Sequence, residues 1–110
     1  MNKFTSDCPA FITVYEDEAT LSQKIANIIS RQHFAQIDVG IATAHLCLAA
    51  TELGLSTCIL GWFEEKKLAE ILGIPEKKVI RLVIAIGYSQ TDDLRTKKRK
   101  DLENIMRWVD

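Results

Sequence analysis

The sequence predicts one small domain in which helices and strands are mixed, with a long apolar helix at its centre. Three observations carry this. The runs Pro9–Tyr15 and Val79–Ile86 are β-branched, aromatic or continuously apolar, as strands are. Leu21, Ile25, Ile28 and Ile29 recur at i, i+4, i+7 and i+8, one stripe of a helix. Ile37–Leu53 is apolar around most of its circumference. The length of 110 residues suits one domain, or part of one. A 47% hydrophobic and 26% charged composition excludes a disordered or collagen-like chain. A net charge of −1 argues against a dedicated nucleic-acid binder.

Taken in order, the polar residues Met1–Asp7 lead into the first strand from Cys8 to Tyr15, and Glu16, Asp17 and Glu18 end it in solvent. Thr20 is placed to cap the helix that begins at Leu21. Gln32–Gln36 reads as a loop or as the end of that helix. In the helix Ile37–Leu53, the polar residues Asp38, His45 and Glu52 fall seven apart, close to two turns, and so form one narrow polar stripe. The remaining surface needs cover, from the domain itself or from a second subunit. Gly54 followed by Leu55 is a left-handed stop signal.

Leu55–Leu60 reads as a short strand, broken by Gly61-Trp62-Phe63. Glu64 and Glu65 suit the positive end of the next helix, whose buried face is Leu68, Ile71 and Leu72. Gly73, Ile74 and Pro75 stop it. Val79–Ile86, interrupted by Arg81 alone, reads as a strand covered on both faces, closed by Gly87-Tyr88-Ser89. In the tail, Leu102, Ile105, Met106 and Val109 predict a final amphipathic helix.

Cys8, Cys47 and Cys58 are an odd number with no CxxC pair, which speaks against a disulfide framework or a structural metal site. With no secretory leader ahead of them, free thiols in a reducing cytoplasm are expected. The stretch Ile41–Ala50, broken by Thr43 and His45, is too short to span a bilayer.

No nucleophile–base–orienter set is recognisable. His45 reads as a polar-stripe histidine bonded to Glu52, Asp38 or a partner chain, ahead of an acid–base role. Gly61, between a strand and a helix, suits either a plain turn or a backbone that approaches a ligand and offers it N–H groups. Trp62 suits either core filling or cover for an aromatic ligand. Arg95, Lys97, Lys98, Arg99 and Lys100 are five cations in six positions, while residues 1–90 hold 8 basic and 10 acidic groups. One basic segment on an acidic body is either solvated surface or a site for a small anion.

Read together, Asp38–Cys58, Ile59-Leu-Gly-Trp-Phe63, Leu72-Gly-Ile-Pro75, Val83–Tyr88 and Lys97–Glu103, preceded by the strand Pro9–Val14, resemble the C-terminal half of the nitroreductase family of flavoproteins. The resemblance runs over about residues 9–108, in family order. It implies an α+β fold, a sheet flanked by helices, with the apolar helix Ile37–Leu53 central and at a homodimer interface. It implies FMN at the junction of two subunits and NAD(P)H as reductant. An electron-poor acceptor such as a nitroaromatic or quinone would be reduced in a ping-pong scheme through flavin N5, with no catalytic side chain.

By the same resemblance, Ile59, Leu60, Gly61 and Trp62 lie along the flavin ring edge, with a backbone N–H at about Gly61 donating to N5. Lys97 and Arg99 hold the phosphate. Lys98 and Arg95 lack a counterpart. The family's N-terminal half has no counterpart in residues 1–110, so the expectation is a partial domain truncated at its N-terminus. A complementing chain would then supply the rest, or the chain is a remnant that folds and dimerises without binding flavin.

Overall fold

The strand Val79–Gly87 is the axis of the fold. The computed structural model describes residues 2–91, 93 and 96–109. In chain order it contains β1 (Ala10–Glu16), α1 (Leu21–Ser30), α2 (Phe34–Glu52), β2 (Ser56–Leu60), α3 (Glu65–Leu72) and β3 (Val79–Gly87). Short 3-10 turns lie at Lys3–Thr5 and Leu102–Asn104. The three strands form one sheet in the order β1-β3-β2, and both pairings are antiparallel. This is the mixed helix-and-sheet architecture expected.

Alternation along β3 sorts the core. Val83 and Ala85 share a face with their cross-strand partners Thr13, Phe11, Leu60 and Cys58. Leu60, Val83 and Ala85 form a buried cluster that Phe63, Leu68 of α3 and Cys8 pack against. Ile84 points to the other face and is 1% exposed. There α2, which touches all three strands, supplies the cover. The sheet side of α2 is a stripe of mostly small residues: Ala35, Val39, Thr43, Cys47 and Ala50. Small side chains let the helix axis approach the sheet. The buried Thr43 hydroxyl donates to the Val39 carbonyl at 2.6 Å, so no polar group is stranded.

Helix ends follow their sequence signals. Thr20 and Gln23 form a reciprocal capping box at the start of α1. Gly54 is left-handed, with its N–H on Thr51 O (2.9 Å) and that of Leu55 on Ala50 O (2.8 Å), a Schellman stop. Gly73 ends α3 in the same way, with Ile74 N–H on Ala69 O.

Five expectations need correction. Of the α3 face expected to be buried, only Leu68 packs on the core cluster; Ile71 is 72% exposed and Leu72 48%, because the small three-stranded sheet does not reach under them. The other four are these. First, α2 begins at Phe34, so Phe34–Gln36 belong to it and the break falls at Arg31, in left-handed backbone, through His33. Second, Glu16 is not a solvent terminator. It is part of β1 and accepts from Arg81 Nε at 2.7 Å, with an η-nitrogen of Arg81 on the same oxygen. Arg81 is tolerated in an apolar strand because the register skips it: Val14 faces Leu82 and Tyr15 faces Ile80, so Arg81 is the extra residue of a β-bulge. Third, the amphipathic helix around Leu102–Val109 does not form beyond the 3-10 turn Leu102–Asn104. Its apolar residues Leu102, Ile105 and Val109 are exposed, and a single short helix without a surface to pack on lacks the stabilisation to offset nucleation.

Fourth, α2 as a whole is 19 residues, about 28 Å, and is long and apolar enough by length and composition to cross a membrane. Its small-residue stripe lies on the sheet and its Asp38, His45 and Glu52 are exposed, which makes it a packing element of the domain. The face away from the sheet is left open: Ile41 is 54% exposed and Leu48 68%. The apolar stripe of α1 is exposed as well. The radius of gyration is 17.4 Å, against about 13 Å for a compact domain of this length. One chain alone therefore leaves much of its apolar surface uncovered.

Two substitutions test this packing. A Cβ on Gly87 would lie 2.9 Å from Cδ of the Pro9 ring, a stiff neighbour, so Gly87→Ala should destabilise the fold by about 1–3 kcal/mol in urea titration. Arg81→Ala strands the partly buried Glu16 carboxylate and should cost about 1–2 kcal/mol by the same measurement. Arg81→Ala at wild-type stability would mean that the bulge is held by its backbone alone.

Candidate functional site

The end of β2 builds the candidate loop. Ile59 pairs with Ile84 and Leu60 with Val83, and there the ladder stops. Leu60 turns inward into the core cluster, while Ile59 is more than half exposed. The chain then leaves the sheet as Gly61-Trp62-Phe63-Glu64 before α3. Gly61 is not in left-handed backbone, and a Cβ there would meet nothing within 4 Å. Neither conformation nor packing therefore requires glycine at this position. Among the described turn and loop hydrogen bonds, none engages the Gly61 N–H. Trp62 is 77% exposed, which excludes the core-filling alternative. Phe63 does the packing, against the Leu60–Val83–Ala85 cluster.

Two polar tethers hold this loop, and the sequence pattern announced neither. Asn2 Nδ2 donates to the Trp62 carbonyl at 2.8 Å. Glu65 Oε1 accepts the Ile80 N–H of β3 at 3.2 Å. In the sequence Asn2 is one polar residue of a polar terminus, and Glu65 is legible only as an acid at a helix start.

Lys97 and Arg99 lie in the irregular segment after β3, are exposed, and take part in none of the described ion pairs. Arg95 falls outside the described residues. Four concavities are described, and of the six predicted site residues only Leu60 lines one, with Phe11, Phe63, Leu68 and Val83 (about 330 Å³). None of these four concavities joins the loop residues Gly61 and Trp62 to the cations Lys97 and Arg99.

His45 is exposed and its Nδ1 donates to the Ile41 carbonyl at 3.0 Å, one turn back, not to Glu52 or Asp38. Asp17 is held below the usual carboxylate range, first by the Glu18 N–H and then by the Lys78 ammonium. That contribution is present at neutral pH and is lost as acid titrates Asp17 through its lowered pKa. It ties the β1–α1 turn to the α3–β3 turn and involves none of the candidate residues.

The Nitroreductase family model matches residues 2–88. That stretch contains Ile59–Trp62 and stops before Lys97 and Arg99. Among curated proteins, DrgA of Synechocystis sp. (strain PCC 6803) is 34% identical over 67 residues, which are 61% of this chain and 31% of DrgA. Among solved structures, a nitroreductase family protein of Clostridium difficile 630 superposes with a TM-score of 0.72 at 23% identity, over 93% of this chain and 60% of that one. An FMN-dependent nitroreductase of Clostridium difficile R20291 gives 0.58 at 25%, over 92% and 55%. The chain therefore spans about a third to three-fifths of the length of these relatives.

Because nothing packs on Gly61, Gly61→Ala should leave stability within about 0.5 kcal/mol of wild type in urea titration. A larger loss would show that the loop geometry depends on glycine for structural reasons.

Proposed function

The chain belongs to the nitroreductase family, and from this membership we propose that it forms part of an FMN-dependent NAD(P)H oxidoreductase. The observation that carries the reading is the loop after β2. Within the family-matched residues the chain leaves the sheet at Gly61, where a side chain would meet nothing within 4 Å, and Trp62 next to it is exposed. That arrangement fits the edge of a planar ring. The exposed cations Lys97 and Arg99 fit a phosphate, since guanidinium makes paired charge-assisted bonds to its oxygens.

FMN, when bound, would supply the redox chemistry, a two-step passage of hydride from NAD(P)H to an electron-poor acceptor such as a nitroaromatic or quinone. The residues of this chain would bind and orient it. Gly61 would offer its N–H to flavin N5. The backbone of Ile59, Leu60 and Trp62 would hold the ring edge, and Lys97 with Arg99 would neutralise the phosphate. No side chain of the protein has to act as a nucleophile.

The site would be completed by residues beyond those of this chain, a second copy among them. The uncovered face of α2 (Ile37, Ile41 and Leu48) is the surface a second copy would seal. That none of the described concavities joins Gly61 and Trp62 to Lys97 and Arg99 supports a second reading, a family remnant that dimerises and binds no flavin.

Titration with FMN, followed by flavin fluorescence, separates the two readings. Uptake by the wild type is expected. Arg99→Ala should weaken it by about tenfold, the scale of one charge-assisted hydrogen bond, and Lys98→Ala should weaken it less. Equal effects would make the tail a generic basic surface, and no uptake by the wild type would leave the remnant. Leu48→Glu on the open face of α2 should shift the protein to a monomer in light scattering and lower FMN uptake with it. A wild type that is already monomeric would remove the proposed interface.

A further inference from the structure

Resting on the flavin reading above, we infer that Glu65 is a positioning residue for the ring-edge loop, acting through the backbone of β3. β2 ends opposite Val83, so β3 runs on from Leu82 back to Val79 without a neighbour on that flank. Ile80 lies in this unpartnered stretch and is 4% exposed, and its N–H must find an acceptor there or remain unsatisfied. The Glu65 carboxylate provides it at 3.2 Å. Glu65 is also the first residue of α3. One hydrogen bond therefore fixes where the helix starts relative to the sheet.

The consequence falls on Gly61–Glu64. This segment is anchored at one end by Leu60, buried and paired with Val83, and at the other by Glu65 on Ile80. Four residues between two fixed points have little freedom, and the Asn2 side chain on the Trp62 carbonyl removes more. The Gly61 N–H is thus held in place before any ligand arrives, which lowers the ordering cost of binding. The step is not covalent, and Glu65 touches no reacting atom.

The test compares wild type, Glu65→Ala and Glu65→Gln. Glutamine keeps an acceptor oxygen without the charge. In the protein without added flavin, hydrogen exchange should accelerate at Ile80 and across residues 61–64 in Glu65→Ala and stay near wild type in Glu65→Gln. FMN titration should give a dissociation constant about tenfold higher for Glu65→Ala, the scale of one lost hydrogen bond to a charged group. Glu65→Gln should recover most of the affinity. Circular dichroism confirms that each variant is folded, and a Glu65→Ala that unfolds leaves the comparison to Gln against wild type, where preserved exchange and affinity are again required. Unchanged loop exchange in a folded Glu65→Ala would overturn the inference. So would equal losses in the Ala and Gln variants, which would assign the effect to charge. A wild type that takes up no FMN would instead defeat the flavin reading, and this inference with it.

Discussion

The pairing of β3 on both of its edges is the constraint from which the rest of the structure follows. β1 lies on one side and β2 on the other, both antiparallel, so β3 is paired on both edges from Val83 to Ile86, with both its faces available for packing. Val83 and Ala85 then require cover on one face and Ile84 on the other. α3 with Phe63 supplies the first and α2 the second. The length mismatch between a nine-residue β3 and a five-residue β2 decides where the candidate loop begins. The ladder ends at Leu60, and the loop, its exposed tryptophan and the helix start all hang from that point.

The same constraint explains what the chain lacks. A three-stranded sheet with one helix across it buries only a small set of side chains: among the described residues six apolar ones, most of them on β3. α2 spends its small residues on the sheet and turns Ile37, Ile41 and Leu48 outward, and the stripe of α1 has nothing to lie on. An uncovered apolar area of this kind is what the proposed second copy would seal. The matched relatives are about one and two-thirds to three times as long as the portion this chain covers.

Local signals were legible where a residue acts through its own backbone. Thr20 and Gln23 announce a capping box, and Gly54 and Gly73 announce helix stops, because each requirement is met within a few residues of sequence. The strands were legible for the same reason. What periodicity could not supply was tertiary context. Arg81 reads as an interruption of an apolar run, and only the register shows that it is a bulge residue with Glu16 across from it. Leu102, Ile105 and Val109 have helical spacing, but spacing does not make a helix without a surface to pack against. Of the four loop residues the resemblance named, Ile59 and Leu60 still belong to β2 and only Gly61 and Trp62 lie beyond it, and the tethers from Asn2 and Glu65 span 60 and 15 residues and leave no local mark.

The central claim is that this chain holds one share of a flavin site that only assembly completes. Size-exclusion chromatography with light scattering and flavin absorbance recorded on the same peak, after saturation with FMN and removal of the excess, tests it directly. The account predicts that a species of at least twice the 12.4 kDa chain mass carries the flavin absorbance. A colourless peak at the mass of a single chain would contradict it.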